Sequence, residues 1–187
     1  MNIIIKTDKD LNKFYRRLFI YRSYFFSFVK FKSDDKRIEK EIHALNLKRK
    51  SKRNAYIFDE VCKEIDEYFN YENICKFDSN GYCMAGLKNG CCRICPHVRS
   101  NGCPSHNVAC KLYFCHRIYE KRKVPTYKDF KLLQVMGIRK RILTIHDYFA
   151  PRDIALFDIN FPFMSVISIK MLGRLVRNII YLKKNHK

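Results

Sequence analysis

Apolar positions recur at helical spacing along most of this chain, and they thin out sharply in one central stretch. Near the N-terminus Leu11, Phe14, Tyr15, Leu18, Tyr21 and Phe25 keep a helical period, which predicts an aromatic-rich helix over 11–31. The β-favouring residues there leave a pair of strands open as an alternative. Ser33-Asp34-Asp35 reads as a helix start, and Ile38, Ile42 and Leu45 carry a stripe to about Leu47. From about Asn54 to Asn70, Ile57, Val61, Ile65 and Tyr68 or Phe69 form an inner face. Its outer face is acidic (Asp59, Glu60, Glu64, Asp66, Glu67) and is placed to pair with basic surface elsewhere. Cys62 falls beside Val61 and Ile65, as a buried thiol would.

Further along, Ser105 or Asn107 is positioned to cap a helix over about 108–123. Thr126-x-x-Asp129, close to a capping box, opens another. Its stripe runs Phe130, Leu133, Gly137, Ile138, Ile142, Ile145, Phe149, and Pro151 ends it. Residues 152–162 read as irregular, with Pro162 as a further break. Residues 163–182 are again amphipathic, with Lys170, Arg174 and Arg177 on one face. The expected fold class is mainly α: a helical body with a small cysteine-rich metal-binding insert. The segments are 1–74, 75–116 and 117–187, packed as one unit.

The central stretch changes the picture. Between Cys75 and Cys115 lie eight of the nine cysteines: Cys75, Cys83, Cys91, Cys92, Cys95, Cys103, Cys110 and Cys115. His97 and His106 lie among them, with four of the six glycines. So few aliphatic residues cannot bury a core, and a metal centre is the natural staple. The apolar run at the N-terminus is too short for a signal peptide, so a reducing, cytoplasmic setting is expected and thiolate ligation is favoured over disulfides. Cys92-x2-Cys95 is a knuckle spacing. Eight thiolates fill two zinc sites, and four would hold one iron–sulfur cluster, so zinc with iron–sulfur as the alternative is the cofactor reading. On a continuous helix Cys110 and Cys115 sit about 140° apart and would serve different roles. Asp78 is the only acidic residue in the stretch, and no His-Glu-x-x-His or deaminase-like pattern occurs. A structural metal is therefore favoured over a catalytic one, and no nucleophile–base pair or small-molecule site stands out.

The run Gly90-Cys91-Cys92-Arg93-Ile94-Cys95-Pro96-His97, followed by Gly102-Cys103-Pro104-Ser105 and Ala109-Cys110-Lys111-Leu112-Tyr113-Phe114-Cys115, resembles the bacterial cysteine-cluster proteins described as zinc- or iron-chelating. The resemblance covers about 40 residues, and the paired cysteines are its most specific part. It implies metal chelation and nothing about partners.

Charge supplies the partner reading. The net charge of +20 over 187 residues attracts polyanions, and residues 117–187 hold 16 basic against 5 acidic side chains. Lys48, Arg49, Lys50, Lys52 and Arg53 form one basic run, and Arg139, Lys140 and Arg141 another. These eight are the expected phosphate contacts of a nucleic acid. The first run reads equally well as a solvated linker or helix end. Aromatics interleaved with arginines over 11–31 suit either base stacking or a core. An acidic protein is the alternative partner, and a membrane surface is disfavoured.

Overall fold

The computed structural model describes residues 2–7, 9–11, 30–72, 78–83, 106–114, 123–148, 150–161 and Val176, the side chains of 69–72 excepted. Over these residues the protein is mainly α. The aromatic helix expected over 11–31 falls mostly outside them. Its last residues, however, are strand.

Strand β1 (Asn2–Ile4) pairs in parallel with β2 (Lys30–Lys32), with Ile3 opposite Phe31. Phe31 turns into the core between two exposed lysines, the alternation a half-buried strand needs. The side chain of Asn46 stands in for a further strand residue: its Nδ2 donates to the Phe31 carbonyl (2.9 Å), and the Phe31 N–H donates to its Oδ1 (2.8 Å). A 3₁₀ turn (Lys36–Ile38) comes next, capped by Asp35, which accepts from the Arg37 N–H at 2.9 Å. It leads directly into α1 (Glu39–Asn46), as the Ser-Asp-Asp signal predicts.

Helix α2 (Lys50–Glu72) is the spine. Ile57, Phe58, Val61, Cys62 and Ile65 are fully buried along it, matching the expected inner face at Ile57, Val61 and Ile65 and adding Phe58, while Tyr68 is half-buried and the Phe69 side chain lies outside the description. It begins about four residues before the expected start. Lys50 to Arg53 are good helix formers that need no apolar partner, so the helix extends into sequence where the hydrophobic period gives no signal.

Helix α3 (Val108–Lys111) is capped by Asn107 but lasts one turn, and the chain through Phe114 is not helical. The helix expected over 108–123 is therefore interrupted at 112–114, and residues 115–122 of it lie outside the described residues. Asn107 is 1% exposed and its amide is fully used. Oδ1 accepts from the Cys110 N–H (2.9 Å), and Nδ2 donates to the carbonyls of Asp147 and Ala150 (both 2.8 Å). One side chain thus caps a helix and ties it to a distant loop.

One half of the Thr126–Asp129 box forms, the Thr126 N–H and hydroxyl donating to Asp129 Oδ2 at 2.7 and 2.9 Å, but it closes a turn over 127–129 and does not open the expected helix. These bonds hold the Asp129 carboxyl below its ordinary value. The chain beyond the box is not one long helix. A 3₁₀ segment (Lys131–Val135) buries Leu132, Leu133 and Val135 and stops, and α4 (Ile138–His146) starts afresh after Gly137. The break changes the phase, so Ile138 and Ile142 of the expected stripe are exposed while Leu143 and Thr144 face inward. Helix α5 (Arg152–Asn160) replaces the irregular stretch expected over 152–162. Pro151 ends nothing here; it stands at the N-cap of α5, where its fixed φ and missing N–H cost little.

The core joins residues far apart in sequence, from Ile5, Leu11 and Phe31 through α2 and Val108 to Leu132, Leu133 and Ile159. The side-chain amides of Asn54 and Asn160 link α2 to α5 at 2.6 Å. Among the described residues no helix is long and apolar enough to cross a membrane. The helix expected over 163–182 lies outside the described residues, apart from a helical, exposed Val176.

Candidate metal centre and basic surface

The outer face of α2 divides by charge. Its acidic part is consumed internally. Asp59 receives Nε and Nη2 of Arg152 from α5 at 2.7 Å each, together with Nε2 of His106 at 3.1 Å. Glu60 pairs with Lys63 at 2.6 Å and with Lys40 at 3.5 Å. Glu64 takes Lys40 at 2.9 Å, and Asp66 takes the largely buried Lys111 of α3. The belt of acids expected to meet basic surface therefore does so at four of its five positions, on partners from α1, α2, α3 and α5.

The electrostatics match the geometry. Burial pushes the Asp59 carboxyl up, but the Arg152 fork and His106 more than offset this and hold it below its ordinary value. Glu60 is held low chiefly by its hydrogen bond from Lys63, with Lys40 adding to it. Desolvation opposes the charge on Lys40, yet its hydrogen bond to Glu64 and the nearby charges of Glu64 and Glu60 together outweigh it, and its ammonium is held more strongly than usual. Burial pushes the Cys62 thiol up to about 12, so it is an inert core residue, as its position predicts.

The basic part is left unmatched. Lys48, Arg49, Lys50 and Lys52 are exposed, and none has a salt-bridge partner among the described residues. Arg53 is half-buried and donates through Nη1 to the Leu47 carbonyl at 3.3 Å. The sequence allowed this run to be a helix end whose charge suits the dipole. Lys48 and Arg49 follow the C-terminal end of α1, whose C-cap is Leu47, and suit its dipole; Lys50, Lys52 and Arg53 stand in the first turn of the 23-residue α2, where positive charge is opposed by the dipole. In the second run Arg139 is exposed, Lys140 is half-buried, and Arg141 bonds to Gln134 Oε1.

Two of the eight cysteines lie within the described residues. Cys83 is buried just after a tight turn in which Asp78 Oδ1 accepts from the N–H groups of Asn80 and Tyr82, both at 2.9 Å. Gly81 sits at φ 78°, the left-handed conformation glycine allows without strain. Asp78 thus builds a turn, the role its neighbours Ser, Asn and Gly suit. Cys110 is half-buried on α3. Cys75, Cys91, Cys92, Cys95, Cys103 and Cys115 lie outside the described residues. Among the described residues no group of three or more His, Cys, Asp and Glu side chains converges as a metal site would.

Comparison with known proteins adds no relative. No protein-family model, curated protein or solved structure matches the chain. Sequence reasoning missed the Asp59–Arg152–His106 junction. It marked Asp59 as seeking a cation, but Arg152 lay in a stretch read as irregular and 93 residues away.

Proposed function

We propose that the protein is a metal-stapled, basic, mainly helical protein that binds a polyanion, with nucleic acid as the partner. The observation that carries this reading is the contrast along α2. Asp59, Glu60, Glu64 and Asp66 are spent on internal cations, while Lys48, Arg49, Lys50 and Lys52 are exposed at its positive end and unmatched among the described residues. Four clustered cations beside a helix N-terminus repel one another and gain from an outside anion. Phosphates at a regular spacing suit them better than scattered carboxylates do. Arg139 adds an exposed cation on α4.

Cys75, Cys83, Cys91, Cys92, Cys95, Cys103, Cys110 and Cys115 would hold the metal. Zinc fits a set of thiols without carboxylates, since a closed tetrathiolate site needs no open position and no general base. There it would supply folding free energy to a segment with little apolar surface. The metal is the staple and the basic run is the binding surface.

The test of the binding reading is fluorescence anisotropy with a labelled oligonucleotide across a range of salt. Affinity should fall steeply as salt rises. Binding that is absent at low salt, or that persists unchanged into high salt, contradicts it.

A further inference from the structure

The junction of His106, Asp59 and Arg152 has the arrangement that orients a metal-ligating imidazole. A carboxylate can only accept, so the ring nitrogen facing Asp59, Nε2, carries the hydrogen and donates, at 3.1 Å. In the neutral imidazole this leaves Nδ1 with the lone pair, and among the described residues no group bonds to it. The ring as a whole is 44% exposed. Asp59 is itself held in place by both arms of the Arg152 guanidinium, 2.7 Å each. A carboxylate that grips one imidazole nitrogen and aims the other outward is how ligating histidines are commonly fixed.

The surroundings agree. His106 lies three residues after Cys103 and four before Cys110 in sequence, at the end of the cysteine segment. Asn107, wedged between them and fully buried, fixes the backbone on both sides by capping Cys110 and binding the Asp147 and Ala150 carbonyls. The spacing His106-x3-Cys110 is within the range that lets two side chains reach one ion.

We infer that His106 binds a zinc-type metal ion through Nδ1, together with the Cys110 thiolate, and that Asp59 is its positioning residue. This rests on the metal reading above and adds a nitrogen donor to a set otherwise made of thiolates. It also couples the metal to the body of the fold, because Asp59 sits on α2 and Arg152 on α5.

The experiment is zinc K-edge X-ray absorption on the full chain loaded with Zn(II), with the variants His106→Asn and Asp59→Asn checked for helical circular dichroism. The wild type should show imidazole scattering, and His106→Asn should lose it. Asp59→Asn should keep it while zinc affinity, read by chelator competition, drops about 10- to 100-fold. A zinc shell of sulfur alone, or imidazole scattering that survives His106→Asn, overturns the inference and leaves the metal reading standing. Unchanged zinc affinity in Asp59→Asn overturns the positioning role. A chain that takes up no zinc overturns both the inference and the metal reading.

Discussion

The two ends of α2 carry opposite charges and treat them in opposite ways. In the middle and C-terminal part, Asp59, Glu60, Glu64 and Asp66 each meet a cation from another part of the fold. At the N-terminal end, Lys48, Arg49, Lys50 and Lys52 meet none among the described residues. With 38 basic against 18 acidic side chains some cations must be left over; the fold decides where they collect, and four of them collect at this one end. The acids here serve the fold, and the unmatched bases face outward. Stability and binding should therefore separate when the two ends are altered.

The deepest cut removes what both ends share. Phe58→Ala leaves a cavity under the middle of α2 and should lower unfolding free energy by about 3–5 kcal/mol in urea denaturation. Next is Asn107→Leu, which orphans the Asp147 and Ala150 carbonyls and uncaps α3, displacing the segment that carries Lys111 and His106. A loss on the order of 3 kcal/mol is expected. Asp59→Asn should cost about 1–2 kcal/mol, since it weakens a half-exposed fork rather than a core contact.

The same variant fixes a pH limb. Asp59 and Glu60 both titrate below their ordinary values of 3.8 and 4.5 in the folded protein. Their contribution is therefore present above those values and is lost as pH falls through the lower folded ones. Acid denaturation of the wild type should steepen below about pH 4, and Asp59→Asn should flatten that limb. An unchanged limb in the variant would remove Asp59 from the account. The smallest effect on stability is expected at the basic end. Neutralising Lys48, Arg49, Lys50 and Lys52 should leave the unfolding midpoint nearly unchanged, because the dipole of α2 opposes Lys50 and Lys52 while that of α1 favours Lys48 and Arg49.

Much of α2 was legible because Ile57, Val61 and Ile65 repeat at helical spacing and Cys62 falls on the same face. Its first turn was not, since Lys50 to Arg53 contribute propensity without pattern. The stripe drawn through Phe130, Leu133, Ile138 and Ile142 crosses a break at Gly137. Periodicity counts residues without detecting that the axis has changed, and so it puts two exposed isoleucines inside. Helix α5 was hidden between Pro151 and Pro162, which read as stops although a proline also starts helices. The acidic face of α2 announced that it wanted cations. Which cations it found depended on packing that brings residue 152 to residue 59, and no local pattern carries that.

The central claim is that the unmatched end of α2 binds and the matched part does not. Its most direct test compares the salt dependence of duplex oligonucleotide binding for two variants of the full chain. One combines Lys48→Gln, Arg49→Gln, Lys50→Gln and Lys52→Gln; the other combines Lys40→Gln and Lys63→Gln, whose ammonium groups pair with Glu60 and Glu64. The first should reduce the slope of log affinity against log salt by about 3–4, roughly 0.9 for each phosphate left unneutralised. The second should leave the slope at the wild-type value. Equal slopes in both variants, or a larger change in the second, would contradict the account.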